Sequence, residues 1–458
     1  MRNYLLFSVF FIAVGMSSAF AIDSCDFADK GLNVRVFSLK QAVETALAQN
    51  PDIKEACYET KSFMADYENA ASGFMPKISA YTEYLNGDAP SSYLFKSIDQ
   101  RKLPPDTDFN DPGSFDNFEA GISATMRLYN GNRTFNAKKM AEESVSAGRF
   151  MENEVRNSLI YSVISVWYDI LSAKDMVNIA RESVNAIEEQ VRITEVKFKG
   201  GSALESDLLS LRARLLAARE DLLEAENRCR IMRIRLSVLT GTDPETEIDA
   251  SNDDFEIKDL PLSCEGLIEK ALGSSPYLKA VKKQTEIAEY RYRIEKGGHF
   301  PTLDLKADYY HDDPDFQFSK ERQNYRIGVM MGVKLFDGFS TSSRIKKADA
   351  LLKKAKEKEK KAVLNIKMQA RKAWFDFELA EQRLKVAKLQ KKDAKASFRL
   401  VKKQYEGGSA GITRYLNAEL ARNSANTAER KAYYSKKKAE AALVEAGGGL
   451  YGLFDAQR

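Results

Sequence analysis

The sequence predicts a mainly α-helical chain made by tandem duplication, each half a long helical hairpin that also carries two β-strands of membrane type. Three observations predict this. Landmarks recur at one spacing: Gly408 follows Gly201, Trp374 follows Trp167, and Gly338 of "LFDG" follows Gly131 of "LYNG", each by 207 residues. Residues 134–199 hold no proline and a single glycine, Gly148, while residues 341–406 hold neither. Four short segments alternate apolar and polar residues with the period of a strand.

The chain opens MRNYLLFSVFFIAVGMSSAFA, with Arg2 as a positive start, an apolar stretch, and Ala19-Phe20-Ala21 as a small-x-small cleavage site. Residues 1–21 are therefore expected to be a secretory signal peptide. Their apolar core is shorter than the roughly 20 residues of a spanning helix. Ile22-Asp23-Ser24 before Cys25 lacks the small apolar residues of a lipidation signal. After export, Cys25, Cys57, Cys229 and Cys264 meet an oxidising compartment. Four cysteines allow three full pairings, among which the sequence does not choose.

Residues 38–72 read as a helix opened by Ser38, with Ala42, Val43, Ala46 and Leu47 at helical spacing. "ALAQNP" ending at Pro51 matches "ALGSSP" ending at Pro276, and "FMPKI" around Pro76 matches "HFPTL" around Pro301, both at 225 residues. The fall from 225 to 207 places an 18-residue insertion in the first half, between Pro76 and Gly131. The repeats are thus assigned to 22–240 and 263–458, joined by an acidic, loop-like linker over 241–262.

In "FEAGISATMRLYNG", Phe118, Ala120, Ile122, Ala124, Met126 and Leu128 share one face; Glu119, Gly121, Ser123, Thr125 and Arg127 share the other. "YRIGVMMGVKLFDG" puts Tyr325, Ile327, Val329, Met331, Val333 and Leu335 together, with Met330 the exception on the opposite, polar side. "KISAYTEYLN" and "TLDLKADYY" supply a partner strand each, the latter with Asp304, Lys306 and Asp308 on its polar face. The lengths and alternation suit strands of a membrane barrel, although a hairpin on a soluble core alternates in the same way.

The helices favour the first reading. At 1.5 Å per residue, residues 134–199 and 341–406 each make a rod roughly 100 Å long, which no globular core buries. Each turns back at a Gly-Gly-Ser-Ala tip into a second helix, over 204–239 and 412–446. Residues 38–72 and 276–295 then run towards the strands and complete the column. Four strands cannot seal themselves in hydrocarbon, so copies must assemble: two would give eight strands and a filled interior, three twelve and an opening. Glu119, Arg127, Lys306 and Lys334 on the polar faces point to a wet lumen and so to a trimer or larger.

With the "ALxxNP" opening, the "LYNG" and "LFDG" strand ends, and an aromatic-x-x-Gly before each tip (Phe198 to Gly201, Tyr405 to Gly408), nearly the whole mature chain resembles outer-membrane efflux proteins of the TolC family. The resemblance implies a homotrimer with a twelve-stranded barrel in outer-membrane lipid, standing on a trimeric α-barrel tunnel in the periplasm. It implies an exit duct of a tripartite efflux pump or type I secretion system, fed by a periplasmic adaptor (membrane fusion) protein and an inner-membrane RND or ABC transporter. Adaptor docking is expected at the tips: Gly200, Gly201, Ser202 and Ala203, and Gly407, Gly408, Ser409 and Ala410.

In the family an acidic residue past the first tip links to a tyrosine and an arginine near the second, and aspartates beyond the second tip form a ring. Position by position, the acid is Asp207 and the tyrosine Tyr405, but the arginine position holds Ala410 and the ring positions hold Arg414 and Asn417. Asp207 and Arg414, each six residues past the second glycine of its tip, are expected to pair instead.

Other chemistry finds no support. With His299 and His311 the only histidines, and no Cys-x-x-Cys, Walker or nucleophile-elbow motif, no catalytic activity, cofactor or metal site is expected. The lysine-rich stretch 344–403 has acids interspersed and reads as a solvated helix face, so no nucleic-acid partner is expected. The competing class is an exported, soluble coiled-coil spacer.

Overall fold

Helix caps and glycine turns divide the chain. The structure, a computed structural model, describes residues 36–455 apart from 247, 253–256, 258–259, 262 and 318. The expected signal segment and Cys25 lie outside the described residues. The first half runs β1 (Val36–Phe37), α1 (Leu39–Gln49), α2 (Pro51–Ser72), β2 (Lys77–Gly87), α3 (Pro90–Asp99), β3 (Phe115–Tyr129), α4 (Arg133–Lys199) and α5 (Glu205–Leu239). The second runs β4 (Asp249–Ala250), α6 (Cys264–Ser274), α7 (Pro276–Lys296), β5 (Thr302–Asp313), β6 (Gln323–Gly332), α8 (Ser340–Glu406), α9 (Ile412–Ala446) and α10 (Leu450–Asp455).

The repeats match closely: α4 and α8 have 67 residues each, α5 and α9 35 each. The stretch expected as one helix over 38–72 is two. Asn50, preceding a proline, is pushed to ψ 131° and out of the helix, and its side chain accepts from Asp52 N at 2.7 Å to start α2. Ser275 does the same before Pro276, accepting from Leu278 N at 3.2 Å. The "NP" and "SP" dipeptides are thus helix junctions, and α6 is the second-half counterpart of α1.

The long helices start and stop by repeated devices. Gly131 and Asn132, and Gly338 and Phe339, are left-handed pairs that swing the chain from sheet to helix. Asn130 then accepts from Thr134 N at 3.2 Å and Asp337 from Thr341 N at 3.0 Å. A Cβ on Gly131 would lie 2.3 Å from the Gly297 carbonyl oxygen, so the end of α7 can approach only glycine there. At the tips, Gly201 (φ 74°) and Gly408 (φ 76°) reverse the chain. Ser202 N reaches Lys197 O, and Ser409 N reaches Gln404 O, both at 2.8 Å; each serine hydroxyl donates to the same carbonyl. These are Schellman ends, which accounts for the recurrence of Gly-Gly-Ser.

One sheet has order β2-β3-β5-β6, antiparallel throughout. β6 is shorter than expected: it ends at Gly332, opposite Thr302, because Pro301 has no N–H to continue β5. Val333 and Leu335 are exposed outside the sheet, and Lys334 is not on a strand face. β3 and β5 extend further than expected at the opposite end, where Phe115 pairs with Gly87 and Phe118 with Asp313. The connection between β2 and β3 (88–114) has 27 residues and that between β5 and β6 (314–322) has nine. The 18-residue insertion therefore lies wholly in the first of these, and it forms α3.

α2 and α7 pack along the sheet-proximal parts of the long helices, while α5 pairs with α4 and α9 with α8. The largest core lies midway along α4, where Trp167, Ile164, Val163 and Ile170 are buried by Val43 of α1, Leu236 of α5 and Val444 of α9. The linker contributes to it, since β4 pairs in parallel with β1 and Ile248 is buried; it is more than the loop expected. Trp374, the repeat partner of Trp167, is only partly buried and donates to Glu378 at 2.9 Å. Cys57 is disulfide-bonded, whereas Cys229 and Cys264 are free. Among the described residues no helix is long and apolar enough to cross a membrane.

Candidate functional site

The sheet lies at one end of this rod and the expected site residues at the other. At the sheet end, one face is polar and interlinked. Glu119 on β3 stands opposite Asp312 on β5, Ser123 opposite Asp308, and Arg127 opposite Asp304. Ser123 Oγ donates to Asp308 at 2.6 Å, Arg326 on β6 donates to the other Asp308 oxygen at 3.2 Å, and Arg127 Nε donates to Asp304 at 2.8 Å. Tyr81 of β2 donates to Glu119 at 2.8 Å. The opposite face is apolar and bare: Ile78 is 71% exposed, Ile122 52%, Ile327 69% and Val329 62%. Such a face left open to water costs about 1.5–3 kcal/mol per large side chain relative to burial, so it calls for an apolar partner.

At the tip end, Asp207 is half-buried in the first turn of α5, where the helix dipole favours a carboxylate. Arg414 and Asn417 are exposed on the first turns of α9. Within one chain neither Asp207 nor Arg414 is in an ion pair among the described residues. Tyr405 does not link to Asp207; its ring packs 5.0 Å from that of Tyr415 in a cluster with Leu211, Phe398 and Ile412. The tip residues Gly200, Gly201, Ser202, Gly407, Gly408 and Ser409 are exposed, and Ala203 and Ala410 half-buried.

The feature that sequence reading missed lies about 10 Å into the hairpins, seven residues after the start of α9. Glu419 is completely buried. Ser183 of α4 donates to its Oε1 at 3.0 Å, Asn423 Nδ2 also donates to it, and Arg214 of α5 reaches Oε2 at 3.4 Å. A single carboxylate thus fastens both hairpins. Burial, reinforced by this carboxylate, pushes the Tyr415 hydroxyl above its ordinary value. The signal was available: Ile412, Tyr415 and Glu419 fall on one helical stripe, so a charge sits where the pattern wants an apolar residue.

Removing one member of a buried ion pair costs about 3–5 kcal/mol because the partner is left uncompensated. Glu419→Ala is therefore expected to lower unfolding free energy by about that amount, and Arg214→Leu in the same chain to recover part of it. Denaturant titration of the detergent-solubilised protein, followed by circular dichroism, checks this; losses that simply add would show the two side chains to be independent.

A family model described as "Outer membrane efflux protein" matches residues 42–242 and 267–449. The outer membrane protein TolC of Vibrio cholerae is 24% identical over 52% of this chain and 55% of its own length. The outer membrane efflux protein BepC of Brucella suis is 24% identical over 66% of this chain and 63% of its own. The chain thus spans between half and two thirds of the length of these relatives. The CmeC outer membrane channel of Campylobacter jejuni superposes with a TM-score of 0.79 over 90% of this chain and 85% of its own, at 18% identity, a likeness of fold. The family match covers both repeats and the tips between their long helices, and the chain belongs to the outer membrane efflux protein family.

Proposed function

We propose that the chain is the channel subunit of a tripartite efflux pump or type I secretion system. Three copies close a twelve-stranded barrel in the outer membrane, and their long helices form a periplasmic tunnel. The duct conducts passively what a periplasmic adaptor and an inner-membrane RND or ABC transporter deliver. The repeats 22–240 and 263–458 act as the two wall units of each copy. The observation that carries this reading is the sheet: four strands with one bare apolar face, one charged face and, among the described residues, no pairing partner for the outer edges of β2 and β6. The helices support it with exposed apolar residues at heptad spacing, Leu209, Leu216 and Leu223 on α5, and Met368 with Phe375 and Leu379 with Val386 on α8. These seams suit helices of a second copy.

Purified from outer membranes, the protein is expected to run as a heat-dissociable trimer and to open discrete conductances in planar bilayers. Release as a monomer by osmotic shock would support the soluble spacer instead.

The entrance is assigned to Asp207, Tyr405, Arg414 and Asn417, with Arg414 of each copy lining the mouth and pairing with Asp207 when copies meet. Asp207→Arg and Arg414→Asp should each raise leak conductance several-fold, and the double exchange should restore the closed level. Additive leak would refute the pairing.

The adaptor is assigned to the exposed tips. Ser202→Cys and Ser409→Cys, in a background where Cys229 and Cys264 are serine, should form cross-links to one periplasmic protein in intact cells, absent from control sites such as Ser158→Cys. Equal capture at all sites would remove the tips as the docking surface.

A further inference from the structure

The insertion that distinguishes the two repeats covers the polar sheet face at the end away from the helices. β2 leaves α2 and β3 enters α4, so the connection between β2 and β3 lies at the sheet's opposite end. Within it, α3 is anchored to three strands at once. Lys96 Nζ lies 2.5 Å from Glu119 Oε2 on β3 and 2.8 Å from Asp312 Oδ1 on β5. Gln100 donates to Asn117 Oδ1 at 2.8 Å and to the Asp116 carbonyl at 2.9 Å. Asn324 on β6 donates to the Asp99 carbonyl at 3.2 Å and accepts from Arg101 at 3.1 Å. Tyr93 sets its ring edge-on to Phe115 at 6.1 Å. Asp312 and Asn117 are buried under this helix at 0% and 1% exposure, while Arg127, Lys306 and Arg326 on the same face nearer the long helices stay open. An Asp-Glu pair facing each other across two strands would repel; the Lys96 ammonium between them holds both the pair and α3 in place.

We propose that α3 is a constriction at the outer mouth of the channel, latched to the inner wall by Lys96. This rests on the reading of the sheet as one third of a barrel with its polar face inward. Twelve strands about 4.8 Å apart and tilted by about 40° enclose a backbone cylinder about 24 Å across. A helix with its side chains is about 10 Å thick, so three copies of α3 standing on the inner wall leave little free section. The side of α3 turned away from the sheet carries Phe95 and Ile98, 66% and 43% exposed. In the barrel these face the axis, where an apolar ring narrows the passage. The duct is thus narrowed at its exit, and widening the exit requires α3 to leave Glu119 and Asp312.

The test probes the exit alone, so the tip entrance does not affect it. Lys306→Cys places a thiol on the open polar face beneath α3, in a background with Cys229 and Cys264 as serine. Intact cells are treated from outside with a small maleimide or a polymer-linked maleimide of about 12 Å diameter, which fits the side-chain-lined cylinder but not one filled by three helices, and trimers are recovered to confirm assembly. With α3 intact the small reagent should label and the large one should be excluded at least tenfold. Lys96→Glu, or replacement of residues 90–99 by a short glycine-serine link, should admit the large reagent, and Lys96→Arg should keep it out. Equal labelling by the large reagent with α3 intact overturns the constriction. Failure of both reagents to label any variant, trimers being present, means that the polar face is not a lumen; the channel reading then falls, and this inference with it.

Discussion

The outer edges of β2 and β6 impose the condition that the rest of the molecule answers. Each presents a row of backbone N–H and C=O groups with no strand partner among the described residues, and each such group left unpaired in hydrocarbon costs several kcal/mol. A sheet whose apolar face needs lipid therefore cannot enter lipid alone. In the proposed assembly, edge pairing with further copies satisfies the backbone, places the apolar face outside, and gathers the charges of Asp304, Lys306, Asp308 and Arg326 around an enclosed space. The helices obey the same logic at a larger scale. α8 buries small residues such as Ala362, Ala370 and Ala380 within the chain yet leaves larger side chains exposed in heptad register. In the proposed assembly these side chains meet helices of a neighbouring copy.

The two repeats share a scaffold and divide the work. Equal helix lengths, equal tips and equivalent caps at Asn130 and Asp337 give each copy two walls of one geometry. Asymmetry is confined to a few places. The first repeat holds Trp167 in the main core, with the linker and α10 packed around it, whereas Trp374 is only partly buried, against a smaller core that includes Ile366 and Ala370. The first sheet connection carries α3 and the second only a short turn. The polar cluster at Glu419 joins the hairpins of the two repeats, so the walls are coupled near the end where the family match includes both tips.

Much of this could be read from residue order, and the limits have physical causes. The 207-residue register of Gly201 with Gly408 and Trp167 with Trp374 reports the duplication because turns and cores tolerate few substitutes. Period two in 118–128 and 325–331 locates the strands, since burial on one face alternates side chains whatever the partner. Strand ends were less legible: β6 stops where Pro301 ends its neighbour, a constraint lying 31 residues away in the chain. The break at Asn50 is visible as an X-Pro pair but is outweighed by continuous helical spacing on both sides, whereas the expected helix over 276–295 already begins at its proline. α3 has a proline start and only ten residues, too few for periodicity to separate from a loop. Asp207 and Arg414 share an offset in sequence, but equal offsets on two hairpins do not fix a contact, and one chain does not bring them together. Glu419 was legible only as an exception to an apolar stripe.

In the proposed barrel the two faces of the sheet meet different solvents, lipid outside and water within. Single cysteines along β6 carrying an environment-sensitive fluorophore, in protein reconstituted into liposomes, test it directly. Tyr325→Cys, Ile327→Cys, Val329→Cys and Met331→Cys should be quenched by brominated acyl chains and shielded from iodide. Arg326→Cys, Gly328→Cys and Met330→Cys should show the reverse, a period of two along one strand. Equal iodide quenching at all seven positions would contradict the account.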